Sequence, residues 1–281
     1  MAIKDILVHV DETERGALRA DIAIELAAGH EAHLTGLGIS AMTVIPSFVD
    51  AELPPNIIEE RLAQLREMVA EAEATFKAKA GQAGISYEWR VVEMPVGDVA
   101  RVVSHQARHT DLTIVGQPDP QVSGRTVSLD MVERLILEAG GPVLLVPYVG
   151  KVETLAKHAF LAWNGSRESA RAAHDLLPLL AGGAQVTVMY VNPPGDDHAE
   201  RDIAGVDVAT YLARHDLDVK AAHVIAEDMK VGDMILSRAV DAGADLIVMG
   251  AYGRSRFREM ILGGATRHIL QHMTMPVLMS H

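Results

Sequence analysis

The 281-residue chain predicts an α/β fold built as two open, doubly wound sheets of five parallel strands each, fused in tandem. Three observations predict it. Short apolar runs alternate with longer amphipathic stretches along the whole chain. Runs such as Leu112–Val115 and Leu246–Met249 are apolar at every position, as parallel strands buried on both faces require. The chain also repeats itself in order. Ile6-Leu7-Val8-His9-Val10-Asp11 returns as Phe160-Leu161-Ala162-Trp163-Asn164, and Met94-Pro95-Val96-Gly97-Asp98 as Met229-Lys230-Val231-Gly232-Asp233. Asp111-Leu112-Thr113-Ile114-Val115-Gly116 returns as Asp245-Leu246-Ile247-Val248-Met249-Gly250, and Pro142-Val143-Leu144-Leu145 as Pro276-Val277-Leu278-Met279.

In the first half the strands are expected near residues 3–10, 32–39, 85–93, 111–116 and 142–147. In the second they are expected near 157–163, 184–191, 218–226, 244–250 and 275–280. Helical patterns lie between them, including Arg167–Leu180 behind a Ser166 cap and Val231–Ala242. Tyr148–Thr154 reads as the linker, which gives domains of 1–149 and 155–281. Asp11 to Met94 is 83 positions, against 65 from Asn164 to Met229. The extra residues fall around Ala41–Lys79 and include Pro54-Pro55 and a long acidic helix from Ile57 to about Ala80. A lid or a partner surface is one use for such an insertion; decoration of the fold is the default.

Two domains of about 140 residues are each large enough to bury a core of their own. No stretch approaches the roughly 20 uninterrupted apolar residues of a membrane span. The N-terminal Met1-Ala2-Ile3-Lys4-Asp5 lacks the pattern of a signal peptide. There are no cysteines, so disulfides and thiolate metal sites are excluded. Together these features predict a cytoplasmic protein with no membrane partner. A net charge of −13 argues against nucleic acid, whose phosphates such a surface would repel.

The chemistry is expected after the fourth strand of the second half. Gly250-Ala251-Tyr252-Gly253 is followed, nine residues on, by Gly263-Gly264-Ala265-Thr266. Ligands of open α/β sheets bind beyond the carboxyl ends of strands where the strand order reverses. Glycines there let backbone N–H groups approach an anion, and a helix beginning near Ala265 would add its N-terminal amides and dipole. Arg254, Arg256, Arg258 and Arg267 add local positive charge of a kind suited to phosphate. The first half serves as an internal control. Gly116 to Pro142 and Gly250 to Pro276 are both 26 residues apart, so the loops align without gaps. Gly253 then becomes Asp119, Gly263 becomes Leu129 and Gly264 becomes Asp130. A carboxylate at Asp130 would oppose a phosphate by about 1–4 kcal/mol, so the first site is expected to hold no polyphosphate.

These residues make the chain resemble a tandem universal stress protein, and the resemblance covers nearly all of it. Nucleotide-binding members carry G-x-x-G, nine residues, then G-(S/T); here Gly250, Gly253 and Gly263 match, while Gly264 stands where the pattern has Ser or Thr. The family places an Asp at the end of strand one. Asp11 matches it in the first half, and Asn164 replaces it in the second. Val191 resembles the position lining the adenine pocket, and Thr266 the Thr after the G-(S/T) step. The nucleotide-contacting set implied is Trp163, Asn164, Val191, Met249, Gly250, Tyr252, Gly253, Arg254, Gly263, Gly264, Ala265 and Thr266. The resemblance further implies ATP or another adenine nucleotide, with magnesium as an optional companion. It implies self-association through the last strands, as a homodimer or a pseudo-dimer of the two halves. A stress-response regulator acting on a protein partner that the sequence does not identify is the leading expectation. A nucleotide-free interaction module of the same fold is the alternative, and a slow ATPase or autokinase the third.

His268 and His272 share a helix face, but no third ligand is in place for a metal. His30 and His33 lack zinc-protease spacing. Asp98 and Asp233, repeated in both halves, are expected to serve helix starts.

Overall fold

The computed structural model describes residues 2–42, 55–96, 98–119, 127–192, 202–225, 229–253 and 264–281. The chain divides into two compact units, residues 2–141 and, apart from Met1, residues 142–281. Arg254 and Gly263 of the expected site, with Arg256 and Arg258, lie outside the described residues.

The first unit runs β1 (Asp5–His9), α1 (Glu14–His30), β2 (His33–Met42), α2 (Pro55–Ala83), β3 (Tyr87–Val96), α3 (Val99–Ala107), β4 (Leu112–Gly116) and α4 (Leu129–Glu138). Its strands are all parallel, in the order β3-β2-β1-β4. α1 and α2 each return the chain to a parallel neighbour, and α3 carries it back across β2 and β1 to set β4 beside β1. Ile6, Leu7, Val8, Leu112 and Ile114 are completely enclosed between the helical layers. Burying an aliphatic side chain of this size contributes roughly 1.5–3 kcal/mol.

The expected long helix of the insertion is α2, the crossover between β2 and β3. It packs into the core through Val69, Ala72, Phe76 and Ala80. Phe76 meets the Trp89 ring at 5.3 Å and the Tyr87 ring edge-on at 6.0 Å. Gly36 on β2 makes this contact fit: a Cβ there would lie 2.9 Å from the Phe76 ring and collide with Trp89.

The second unit contains β5 (Val143–Val146), β6 (His158–Trp163), α5 (Arg167–Leu176), β7 (Gln185–Asn192), α6 (Asp202–Ala213), β8 (Asp218–Ile225), α7 (Val231–Asp241), β9 (Leu246–Gly250), α8 (Ala265–His272) and β10 (Val277–Ser280). The strand order is β5-β10-β9-β6-β7-β8, parallel except where β10 takes β5 as an antiparallel neighbour. The edge of β10, which the resemblance assigns to association, is therefore occupied by β5 of the same chain. α5 stops short of the expected Leu180. Pro178 has no N–H to continue the ladder, and the chain tightens into a 3-10 turn at Leu177–Leu179. Among the described residues no helix is long and apolar enough to cross a membrane.

One device recurs in both units. Asp111, just before β4, accepts the backbone N–H groups of Lys4 and Asp5 at 2.7 and 3.1 Å, locking the start of β1. Asp245, just before β9, accepts the N–H groups of Lys157 and His158 at 3.1 and 3.0 Å and the Thr154 hydroxyl at 2.6 Å. The repeated Asp is thus a clamp on the register of the two central strands.

Candidate functional site

The wiring moves outward from β1 in the first unit and from β6 in the second, and then returns to the other side of that strand. The order reverses between β1 and β4 in the first unit and between β6 and β9 in the second. The carboxyl ends of those pairs are the places where a ligand fits.

In the second unit, Ala162 lies opposite Met249 and Trp163 opposite Tyr190, so the ends of β9, β6 and β7 stand side by side. This arrangement brings Trp163, Asn164, Met249, Gly250, Tyr252 and Gly253 together on adjoining strand ends. Met249 itself is buried in the sheet. Val191 on β7 pairs with Val224 on β8, and its side chain lies outside the described residues.

The local chain is shaped by backbone chemistry. Asn164 Oδ1 accepts the Ser166 N–H at 3.0 Å, and Ser166 Oγ accepts the Ser169 N–H at 3.2 Å, so the turn off β6 caps α5. Asn164 is exposed. The Trp163 indole N–H is buried and has no acceptor among the described residues. Gly250 approaches α5 so closely that a Cβ would collide with the backbone at Glu168 and Ser169. The glycine is required there by packing alone. Tyr252 follows in the left-handed region at φ 53°, which for a non-glycine residue costs about 1–3 kcal/mol. The loop's first turn is held from β10: Ala251 N–H donates to Ser280 O at 2.8 Å, and the His281 ring donates through Nδ1 to Ala251 O at 2.9 Å.

α8 begins where the sequence places it. Gly264 is its N-cap, with no side-chain hydrogen bond to the first-turn amides, followed by half-buried Ala265 and buried Thr266. By contrast, α1, α3, α4 and α5 are capped by Thr13, Asp98, Ser128 and Ser166.

The sequence reasoning missed Glu168. It occupies the second position of α5 with its side chain 2% exposed. Oε1 accepts Arg167 Nε at 2.5 Å, while Oε2 is buried. A Cβ on Gly253 would lie 3.2 Å from that Oε2. Burial pushes the carboxyl up, but the Arg167 guanidinium, the residue's own backbone N–H and the Ser166 hydroxyl outweigh it, and the group is held below the usual carboxylate range. An anion therefore lies beneath the glycine loop. An acidic first-turn residue is an ordinary helix feature, so nothing in the sequence marked this one as buried.

The first unit places the residue expected to oppose a phosphate elsewhere. Asp130 is an exposed residue in the first turn of α4, which starts at Leu129 behind its Ser128 cap. That helix starts two aligned positions earlier than α8, behind its Ser128 cap. The space beside the strand ends is taken instead by Arg19. Its Nε donates to His9 O at 2.9 Å, its Nη2 pairs with Asp11 Oδ2 at 2.7 Å, and a Cβ on Gly116 would collide with Nη1. Asp11 Oδ1 also accepts the Thr13 N–H at 3.2 Å. Burial pushes the Asp11 carboxyl up, yet Arg19, His9 and the Thr13 hydroxyl hold it far below the usual range. Burial, aided by Arg19, pushes His9 down to about 4. The corresponding helix position in the second half is Ala172. An arginine on the inner face of an alanine-rich helix was the signal in the sequence.

His268 is tied to Asp233, its Nε2 at 2.6 Å from Oδ1, and stacks on His272 with ring centroids 4.2 Å apart. Among the described residues no group of three His, Asp or Glu could hold a metal ion. Asp98 caps α3 as expected and pairs with Arg134 at 2.7 Å. Asp233 caps nothing; it lies inside the first turn of α7 and answers His268 instead.

The model of the Universal stress protein family matches residues 156–281. Universal stress protein Slr1230 of Synechocystis sp. is 28% identical over 152 residues, 52% of this chain and 49% of that protein. The match thus spans about half of that relative's length. A universal stress protein of Mycolicibacterium smegmatis is 23% identical over 288 residues, covering 97% of this chain and 95% of that one. The crystal structure of a universal stress protein from Archaeoglobus fulgidus DSM 4304 has the same fold, with a TM-score of 0.70 at 16% identity over 98% of this chain and 95% of its own. The second half of the chain, residues 156–281, is thus similar to the universal stress protein family, and the whole chain is similar to a relative of nearly equal length.

Proposed function

We propose that the chain is a tandem universal stress protein, a cytoplasmic stress-response regulator that binds an adenine nucleotide in its second domain. The base and ribose are assigned to the ends of β6 and β7, at Trp163, Asn164 and Val191. The phosphates are assigned to Gly250, Gly253, Gly263 and the start of α8. The observation that carries this reading is the glycine start of α8: its first-turn amides have no capping side chain, at the end of a loop with the family's glycine spacing. The first domain takes no nucleotide because the Arg19–Asp11 pair fills the corresponding corner.

One observation favours the second reading, a nucleotide-free interaction module: the Glu168 carboxylate beneath Gly253 opposes a bare phosphate. Calorimetry with ATP, together with mass spectrometry of the denatured purified protein for retained nucleotide, separates the two. Gly263→Asp should abolish ATP binding with an unchanged circular dichroism spectrum. Undiminished affinity in that variant refutes the assigned site, and no heat at saturating ATP in the wild type favours the module.

A further inference from the structure

The turns that follow β1 and β6 have the same build but different chemistry. In the first half Asp11 Oδ1 accepts the Thr13 N–H at 3.2 Å, and in the second Asn164 Oδ1 accepts the Ser166 N–H at 3.0 Å. Between these pairs stand the aligned residues Glu12 and Gly165. Only the second half therefore sets a side-chain amide next to a glycine. Asn164 and Gly165 are both exposed, Gly165 holds φ 71°, and a Cβ on it would meet no atom within 4 Å.

An asparagine side chain carries an electrophilic carbon, and the backbone nitrogen of the next residue is the nucleophile closest to it along the chain. Three features of this turn favour their reaction. The bond from Asn164 Oδ1 to the amide two residues on folds the side chain back over the Gly165 peptide nitrogen. The same Ser166 N–H donates to the oxygen that gains negative charge when the carbon is attacked, and the start of α5 adds the positive end of its dipole. Gly165 has no side chain to screen its nitrogen from that carbon or from hydroxide. The other two asparagines of the chain lack this combination: Asn56 precedes β-branched Ile57, and Asn192 precedes Pro193, which has no N–H to give up.

We propose that Asn164 is a self-modification site that deamidates through a cyclic imide formed with Gly165. Hydroxide takes the Gly165 amide proton, the nitrogen bonds to Asn164 Cγ, and the Cγ–Nδ2 bond breaks, releasing ammonia that leaves with a proton returned by water. A second water opens the ring at one carbonyl or the other, giving aspartate or isoaspartate. Either product puts a carboxylate at the end of β6, where the first half has Asp11, but Ala172 stands in place of the arginine that answers Asp11. The isoaspartate product also lengthens the main chain between β6 and the Ser166 cap by one carbon. The inference stands apart from the nucleotide reading and needs no ligand.

The test is incubation of the full chain at neutral and mildly alkaline pH, native and unfolded in guanidinium chloride. Tryptic mass spectrometry then follows residues 158–167, which Lys157 and Arg167 delimit. Asn164 should convert in the native protein at least as fast as in the unfolded one, faster as hydroxide rises, with isoaspartate among the products. Gly165→Ala should slow the conversion by at least about tenfold. Native conversion about tenfold slower than unfolded, or conversion faster at Asn56 or Asn192, overturns the proposal. So does an unchanged rate in Gly165→Ala, or aspartate without isoaspartate, which is the mark of direct hydrolysis. If Gly165→Ala does not fold, the isoaspartate content and the native-to-unfolded rate ratio of the wild type decide.

Discussion

Acidification from pH 7 to pH 5 should destabilise the first unit, because His9 is enclosed there as a neutral imidazole. His9 is 1% exposed. Burial is the main cause of its depressed basicity, the Arg19 guanidinium adds to it, and Asp11 opposes both. The folded-state value is about 4 against 6.5 in the unfolded chain. With the folded value depressed, the unfolded chain binds the proton first, so stability is fully present above pH 6.5 and is lost as pH falls towards 4. Linkage between those two values gives a loss of about 2 kcal/mol at pH 5 and about 3 kcal/mol at pH 4, relative to pH 7. Asp11 adds nothing in this window: its depressed carboxyl contributes stability above pH 3.8 that is lost only in stronger acid. Trp89 lies in the first unit and Trp163 in the second. In a Trp163→Phe background, urea unfolding followed by fluorescence therefore reports the first unit. The pH-dependent loss should appear in that background and shrink to a few tenths of a kcal/mol when His9→Gln is added. Equal stability at pH 7 and 5, or the same loss in the His9→Gln protein, would refute the argument that His9 is buried neutral.

Two further outcomes follow from the same corners. Arg19→Ala leaves the Asp11 carboxylate buried without its cation and should cost the first unit about 3–5 kcal/mol in urea denaturation. Adding Asp11→Asn recreates the Asn–Ala combination of the second half and should recover a substantial part of that loss; no recovery would mean that Arg19 acts by packing rather than charge. Asp245→Asn weakens three hydrogen bonds to a charged acceptor and should cost the second unit about 2–3 kcal/mol by thermal or urea unfolding monitored at Trp163. A cost below about 0.5 kcal/mol would show that the strand start needs no clamp.

The strands and their order of occurrence were legible because buried parallel strands cannot disguise their composition: β4 and β9 are apolar through and through. The helix starts at Ser166 and Gly264 were legible for a similar reason, since capping chemistry is local. The 3-10 ending of α5 was present in Pro178 but outweighed by the periodicity around it. The errors lie where an alignment was followed past a local cap and where long-range contact decides. Asp130 aligns with Gly264 on paper, yet a serine cap upstream starts α4 earlier and leaves Asp130 facing solvent. The acidic residue that does lie beneath a glycine loop is Glu168, which looks in sequence like any first-turn glutamate.

The sequence by itself determined the alternation of strand and helix, the repeat, the glycine spacing and the family it resembles, because each is written in residues that are neighbours or at fixed spacing along the chain. Only the tertiary structure decided which charge occupies each corner where the strand order reverses. Arg19 and Gly116 are 97 positions apart, and Glu168 and Gly253 are 85 apart. Their meeting depends on how closely a helix approaches a strand end, and that distance is set by packing rather than by any local preference of the residues involved.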